Sequence, residues 1–160
     1  MDRCFIMSLG ILTPSEITTK LNDHSDWLAS TGGERGFFND LSLTSTTAFN
    51  GRDLTLLVFN SSYLDNVELT GVTFDSTQCS LATFDNVSFT GSTFTNNTFS
   101  FTKFVDCDLT GLSFTECSFI GVNFDRVSFE GSTFTNCLIA GCEFIDADIN
   151  EANLVDTEIS

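Results

Sequence analysis

The sequence has little proline, few basic residues and only one histidine. Its 160 residues include one Pro, one Trp, one Tyr, one His, and six Lys and Arg together. The lone His24 has no nucleophile–base pairing or metal-ligand spacing around it, so we expect no enzymatic activity, no cofactor and no metal site. Phosphate-binding loops and basic aromatic stretches are also missing, so direct binding of nucleotides or nucleic acid is not expected.

Long apolar runs are missing as well. No stretch approaches the ~18 apolar residues that a membrane-spanning helix needs, so no membrane association is predicted. Residues 1–12 include a short apolar segment, but Asp2 interrupts the basic start of a signal peptide and no small-x-small cleavage site follows. We therefore predict a cytoplasmic protein, for which Met7 is an alternative start.

Phenylalanine, by contrast, is abundant and periodic. Every fifth position from Phe49 to Ile159 holds Phe, Leu or Ile at 22 of 23 places, 14 of them Phe, and Cys79 is the exception. Neither a helix nor an ordinary strand has a period of five residues. A period sustained over this many steps therefore predicts a repeat architecture.

A second period of twenty residues runs over the first. Glycine recurs at Gly51, Gly71, Gly91, Gly111 and Gly131. Because twenty is four times five, we predict coils with four short sides and a glycine at one corner, where positive φ or close backbone approach suits it. We call the every-fifth positions that hold Phe, Leu or Ile the Phe phase, and the positions two residues earlier the inner small phase. Side chains in both phases are predicted to point inward, and the other three residues of each repeat are predicted to face solvent. Such coils stack at ~4.8 Å through backbone hydrogen bonds.

The cysteines follow the same pattern. No CxxC pair occurs among the six, and four of them fall two residues before a Phe-phase position: Cys107, Cys117, Cys137 and Cys142. We therefore interpret them as small, buried, reduced thiols, which fits a reducing cytoplasm. Disulfide or metal-binding roles are the alternative.

Residues 1–46 lack the five-residue period and are predicted to form an N-terminal helical capping segment. Thr13 suits the N-cap of a helix, Pro14 its first position, and Glu16 closes a capping box. One face of this helix then carries Ile17, Leu21, His24 and Leu28. We expect the segment to cover the apolar end of the first coil, and His24 to be a helix-face residue rather than a catalyst.

The repeating unit resembles that of a known family. Segments such as Ser92-Thr93-Phe94-Thr95-Asn96 and Val122-Asn123-Phe124-Asp125-Arg126 are similar to the repeats of the pentapeptide repeat family. The resemblance covers residues 47–160 and implies an all-β fold, a right-handed quadrilateral parallel β-helix (solenoid) of about 5.5 coils. Residues 1–46 would be its small α-helical N-terminal cap, similar to that of many bacterial members.

The resemblance also implies a kind of function. The best understood branch of the family consists of acidic rods that resemble B-form DNA and bind DNA gyrase or topoisomerase IV. That branch usually carries loops between coils and a C-terminal dimerising element. Here no insertion interrupts the period, which departs from that pattern.

Acidic residues dominate the outward phases of residues 47–160, with 16 acids against three bases. The predicted acidic surface consists of Asp65, Asp85, Asp106, Asp125, Asp146, Glu68, Asp108 and Asp148. Repeated charge along a rod can imitate phosphates, so we predict a DNA mimic that binds a basic groove of a DNA-handling enzyme such as a gyrase or topoisomerase. The alternative is that the acidity serves only solubility.

A few apolar residues also fall on outward phases. The predicted apolar contact patch consists of Leu81, Phe101, Val105, Ile120, Leu138 and Ile145. Exposed apolar clusters often mark contact sites, so the alternative function is a protein–protein interaction scaffold or adaptor that uses this patch. The other interpretation is that the geometry of the corners partly covers these side chains.

The last coil is predicted to present an uncovered end. Its inward positions carry Ile149, Leu154 and Ile159, and the unpaired backbone groups of an edge favour pairing with another chain. We therefore predict a homodimer through the C-terminal coil. Truncation of a longer chain is the alternative explanation.

Overall fold

The protein folds as a parallel β-solenoid of about six turns with one short helix near its N-terminus. The computed structural model describes residues 9–160, so Cys4, Met7 and most of the N-terminal apolar segment lie outside the described residues. Within residues 9–160, no helix is long and apolar enough to cross a membrane.

The helix, α1, spans Pro14–Leu28 and begins with the predicted capping box. The Glu16 amide donates to the Thr13 hydroxyl at 3.3 Å, and the Thr13 amide donates to the Glu16 carboxylate at 2.7 Å. This bond from the Thr13 backbone lowers the pKa of Glu16. Ile17 and Leu21 are buried in the same apolar core as the coils, so α1 packs against the N-terminal end of the solenoid.

Seventeen short strands follow the chain through residues 9–160, and most contain three residues. In chain order they are β1 (Gly10–Ile11), β2 (Leu41–Thr44), β3 (Tyr63–Asp65), β4 (Thr73–Asp75), β5 (Gln78–Ser80), β6 (Thr83–Asp85), β7 (Thr93–Thr95), β8 (Thr98–Ser100), β9 (Lys103–Val105), β10 (Ser113–Thr115), β11 (Ser118–Ile120), β12 (Asn123–Asp125), β13 (Thr133–Thr135), β14 (Leu138–Ala140), β15 (Glu143–Ile145), β16 (Asn153–Val155) and β17 (Glu158–Ile159).

These strands form three parallel sheets, one on each of three sides of the coils. The first sheet has the order β1-β2-β3-β6-β9-β12-β15, the second β4-β7-β10-β13-β16, and the third β5-β8-β11-β14-β17. Isolated parallel bridges hold the fourth side, linking Glu68, Ser88, Asp108 and Ser128 in turn. A coil passes from the first sheet to this bridged side, then to the second and third sheets, so the bridged side lies opposite the third sheet.

The Phe-phase side chains fill the interior as columns, which confirms the predicted stacking of residues twenty apart. Every member from Phe49 to Ile139 is buried. In the second sheet, the Phe94 and Phe114 ring centroids lie 4.7 Å apart, and Phe114 and Phe134 repeat this distance. Each buried side chain of this size stabilises the fold by about 1.5–3 kcal/mol, so the columns are the main source of stability.

Polar side chains at the inner small positions bond to backbone groups of the preceding coil. Asn97 accepts from the Thr77 amide at 2.8 Å and donates to the Phe74 carbonyl at 3.0 Å. The thiol of Cys107 contacts the Phe84 carbonyl in the same way, at 3.4 Å. Burial of these groups is therefore compatible with hydrogen bonding, and the cysteines act as weak donors as well as small apolar residues.

The predicted corner glycines have positive φ. Gly71 and Gly91 have φ of 65° and 70°, and a Cβ added at either would meet nothing within 4 Å. The left-handed backbone, rather than a close approach, is therefore the reason for glycine at this corner.

The five-residue period begins earlier than residue 47. Phe38 and Leu43 are five residues apart and buried, and the register of β2 and β3 sets Leu43 beside Leu64, an offset of 21 residues. We did not predict these two sides, because one additional residue before Phe49 shifts the phase. They account for the difference between the predicted 5.5 coils and the six turns observed. The division of the chain at residues 46 and 47 stays a prediction.

Arg52 is the one charged residue in the inner small phase, and it lies beside the helix. Its guanidinium donates to the Asn22 side-chain oxygen at 2.9 Å. The side chain is therefore held by α1 at the N-terminal end of the solenoid.

Candidate functional site

Acidic side chains concentrate on two adjacent sides of the solenoid. Of the 16 acids after residue 46, eleven lie on the first sheet, on the bridged side or at the corners next to these: Asp65, Glu68, Asp85, Asp106, Asp108, Asp125, Glu130, Glu143, Asp146, Asp148 and Glu151. We call these two sides the acidic half. Its bases are Lys103 and Arg126.

Three of the eight predicted acidic residues bind an arginine or tyrosine side chain. Arg126 binds Asp106 and Asp125, each with an N–O distance of 2.6 Å. The hydrogen bond from Arg126 to Asp106 lowers the pKa of Asp106. The Tyr63 hydroxyl donates to Asp85 at 2.6 Å, which raises the pKa of Tyr63 to about 12. These three carboxylates therefore form local contacts as well as contributing charge.

The other five predicted acids form no ion pair with any residue of the described chain: Asp65, Glu68, Asp108, Asp146 and Asp148. One oxygen of Asp108 accepts from the Thr110 amide at 2.9 Å, and one of Asp148 accepts from the Asn150 amide at the same distance. Both residues thus also shape turns, which is the structural role that Asp commonly has. Both are exposed, so their charge faces solvent.

The third sheet is almost uncharged. The outward residues of β5, β8, β11, β14 and β17 include one acid, Glu158, and no base. We call this surface the neutral side, and it lies opposite the bridged part of the acidic half. The molecule is therefore strongly asymmetric in charge around its long axis.

The predicted apolar patch divides into two parts. Leu81 and Phe101 occupy one corner column between the third and first sheets and are 64% and 63% exposed. Ile120 and Leu138 lie nearby on the neutral side, in β11 and β14. Val105 and Ile145 lie instead at the far edge of the first sheet, at the ends of β9 and β15. The fold therefore groups Leu81 and Phe101 with the two neutral-side residues, whereas Val105 and Ile145 lie apart from them.

The backbone at Leu81 and Phe101 is left-handed, with φ of 57° and 51°. The next two coils have Gly121 and Gly141 at the same corner, with φ of 60° and 59°. This conformation costs a side-chain-bearing residue about 1–2 kcal/mol. We did not predict this strain, although Leu81 and Phe101 each lie ten residues from Gly91, a multiple of the five-residue period, which was the available signal.

An open groove runs along this corner beside Phe101. A Cβ at Gly121 would lie 2.8 Å from the Phe101 ring, so the ring covers that glycine. The groove has a volume of about 530 Å³, and its lining includes Phe101, Lys103, Gly121, Asn123, Gly141 and Glu143. We call it the corner groove. It combines an exposed aromatic ring, a glycine floor and a polar wall formed by the first sheet.

His24 is buried inside the cap. The Gly36 amide donates to its Nδ1 at 3.0 Å, and its ring stacks on Trp27 with centroids 5.8 Å apart. Burial lowers the pKa of His24. Its Nε2 has no hydrogen-bond partner among the described residues, and no group of metal-binding side chains occurs within residues 9–160. The contacts of His24 are those of a packing residue between α1 and the chain that follows it.

The last coil is less buried than the others. Ile149 and Leu154 are half-buried, and Ile159 is 50% exposed. These residues therefore present apolar surface at the C-terminal end of the described solenoid.

Two sequence-family models match the chain. One, described as a pentapeptide repeat region, matches residues 80–154, and the other, described as pentapeptide repeats in eight copies, matches residues 53–91. Together they cover residues 53–154 without a gap. The chain belongs to the pentapeptide repeat family. A search of curated protein sequences found no match.

Solved structures of pentapeptide repeat proteins are also similar to this chain. Full-length QnrB1, a plasmid-mediated fluoroquinolone resistance protein, is 18% identical, with 78% of this chain and 94% of that one covered and a TM-score of 0.29. Rfr23 from the cyanobacterium Cyanothece 51142 is 11% identical, with 87% and 94% covered and a TM-score of 0.32. HetL from Nostoc sp. strain PCC 7120, involved in heterocyst differentiation regulation, is 10% identical, with 81% and 92% covered and a TM-score of 0.27.

Proposed function

We propose that this protein is a non-enzymatic cytoplasmic rod whose acidic half binds a basic groove of a DNA-handling enzyme, with gyrase-like topoisomerases as the family's precedent. The single observation that carries the proposal is the concentration of eleven acids on two adjacent sides. Acidity that served only solubility would have no reason to leave the third sheet almost uncharged.

The charge density of the rod supports this proposal. Residues 47–160 carry 16 acids and three bases. At a coil spacing of ~4.8 Å, this is about one net negative charge per 2 Å of the axis. B-form DNA carries one per ~1.7 Å. A groove that attracts DNA electrostatically would therefore also attract this rod, and attraction of this kind weakens as salt increases.

Supercoiling by DNA gyrase tests the proposal. Gyrase is titrated with the full chain at low and at high salt. We expect supercoiling activity to change in proportion to added protein at low salt, and the effect to weaken as salt is raised. No change in activity at low salt would contradict gyrase as the target.

A second candidate function, that of an adaptor, is favoured by the strained and exposed Phe101. In this case a partner binds the apolar part of the corner and salt has little effect. Phe101→Asp would then abolish capture of the partner from a native-host lysate and leave the fold intact, whereas unaltered capture would contradict the adaptor function.

We also propose that two copies pair through the C-terminal coil. The half-buried Ile149 and Leu154 and the exposed Ile159 would be covered by the same residues of the second copy. Light scattering at tens of micromolar protein should then give the mass of a dimer, and a monomer mass at that concentration would contradict the proposal.

A further inference from the structure

We propose that the corner groove binds an arginine side chain of the partner protein. The inference rests on the proposed function, because that function supplies a basic partner. The groove adjoins the first sheet, so a protein that covers the acidic half also reaches the groove at its border.

The aromatic wall is the first argument for arginine. Phe101 is 63% exposed and is held in a left-handed conformation that glycine or asparagine would adopt more readily. Left-handed residues other than glycine occur at many corners of this fold, but Leu81 and Phe101 are the most exposed large apolar side chains among them. Residues held in such conformations cluster at ligand sites. The flat guanidinium of arginine stacks on an exposed aromatic ring, with electrostatic attraction from the ring face.

The polar wall supplies acceptors beyond the ring. Asn123 donates its amide to one oxygen of Glu143 at 3.0 Å. The other Glu143 oxygen, Oε1, and the side-chain oxygen of Asn123, Oδ1, form no hydrogen bond with the described residues. A guanidinium that lies in the groove between the Phe101 ring and Glu143 could donate to both, since arginine presents five N–H donors in a fixed fork.

The floor and the charges of the groove favour the same orientation. The Phe101 ring lies on Gly121, and Gly141 beyond it leaves no side chain to obstruct a flat group. Lys103, the one base of the groove, lies on the coil of Phe101, and Glu143 lies two coils further along, ~10 Å away at the coil spacing. The guanidinium therefore meets a carboxylate at the end of the groove that is remote from the lysine.

Nuclear magnetic resonance of the isotope-labelled full chain tests this inference with two small probes. The probes are N-acetyl-arginine methylamide and its lysine counterpart. We expect the arginine probe to shift the amide signals of Gly121, Asn123 and Gly141 in a saturable manner. Its dissociation constant should be at least about 3-fold lower than that of the lysine probe, which cannot form the bidentate, stacked contact.

Three variants identify the groups responsible. Glu143→Gln and Phe101→Asn should each weaken arginine binding by about 3- to 10-fold. Leu56→Asn is the matched control, because Leu56 is also an exposed apolar corner residue with φ of 64° but lies outside the groove. It should leave binding unchanged. Equal binding of both probes, or shifts centred on Asp108 and Asp148, would overturn the inference.

The gyrase assay separates failure of this inference from failure of the proposed function. If gyrase activity responds to the acidic half while the groove binds no arginine, the inference is wrong and the proposed function stands. If the groove binds arginine selectively while gyrase does not respond, the arginine site is supported and gyrase is excluded as the partner.

Discussion

Phe101 shows how one residue can oppose the backbone preference of its own repeat. The left-handed corner falls two residues after each Phe-phase position, and most corners in the described coils carry Gly, Asn, Asp or Ser. Phe101 and Leu81 lack the preference for positive φ that Gly, Asn and Asp have, and their side chains gain little burial in return. A ring kept exposed at a conformational cost is easier to explain by an external contact than by stability.

Replacement of Phe101 by asparagine should therefore stabilise the protein. Asparagine adopts positive φ more readily than phenylalanine, so Phe101→Asn should increase the free energy of unfolding by about 1 kcal/mol. Thermal unfolding would show this as a rise of about 2–4 °C in Tm. Leu56→Asn should change stability in the same direction. A lower Tm for Phe101→Asn alone would mean that the ring contributes more through its packing on Gly121 than its backbone costs.

The sequence predicted the direction of side chains at this scale far better than their backbone angles. A period of five specifies which residues point inward, because most members of a column are buried and the apolar residues there repeat visibly in the sequence. The strain at Leu81 and Phe101 could not be recognised from the outward phase alone. It required the additional step of aligning both residues with the corner glycines Gly121 and Gly141.

The stacked columns are the element that holds the solenoid together. Phe124 is 1% exposed and lies between Phe104 and Phe144, with ring centroids 5.4 and 5.2 Å away. Each ring contacts the coils above and below it, so the loss of one ring removes contacts on both sides. The contribution of a column position should therefore depend on where along the rod it lies.

A pair of substitutions tests this dependence. Phe124→Ala, in the middle of its column, should reduce the free energy of unfolding by about 3–5 kcal/mol. Ile159→Ala, at the half-exposed end, should reduce it by less than about 1 kcal/mol. Urea unfolding followed by circular dichroism measures both. Similar losses for the two variants would contradict the view that burial within the stack determines stability.

The cap should lose stability on acidification because of His24. Burial holds the pKa of His24 below its ordinary value of 6.5, so the unfolded chain binds this proton more readily than the folded one. The stability that His24 contributes is present above pH ~6.5 and is lost as the pH falls through its folded pKa. In the variant His24→Phe this dependence is absent.

The measurement compares the two proteins between pH 7 and pH 5. Trp27 is the one tryptophan of the chain and stacks on His24, so its fluorescence reports on the cap. As the pH falls, the free energy of unfolding of the native chain should decrease relative to that of His24→Phe. A difference that stays constant would mean that His24 titrates alike in both states.

At the scale of the cap, the helix could be predicted in detail but the coil beneath it could not. Thr13 and Glu16 form a local signal within one turn, and the capping box was confirmed. Phe38 and Leu43 carry the period, but two members with a shifted phase are too few to recognise. Their positions become clear only from the pairing of β2 with β3, which depends on contacts between residues 21 apart in the chain.

The charge asymmetry belongs to the molecule as a whole. No single coil shows it, because each coil carries only a few acids. It arises when residues twenty apart are stacked, so that the acids of many coils fall on two sides and the third sheet stays almost neutral. The predicted acidic columns contained this information in part, but the neutral side was not anticipated.

The position of the acids, rather than their number, is the central claim, and binding to gyrase tests it most directly. One variant combines Asp65→Asn, Asp108→Asn and Asp148→Asn in the acidic half. Its matched control combines Asp53→Asn, Asp75→Asn and Asp156→Asn on and beside the second sheet, and asparagine retains a side-chain oxygen acceptor in both.

Dissociation constants for gyrase would be measured for the native chain and both variants at several salt concentrations between about 50 mM and about 200 mM. We predict that the acidic-half variant binds at least about 10-fold more weakly at low salt and loses part of the salt dependence, while the control variant stays close to the native chain. Equal weakening in both variants would contradict the account, because it would show that only the total charge matters.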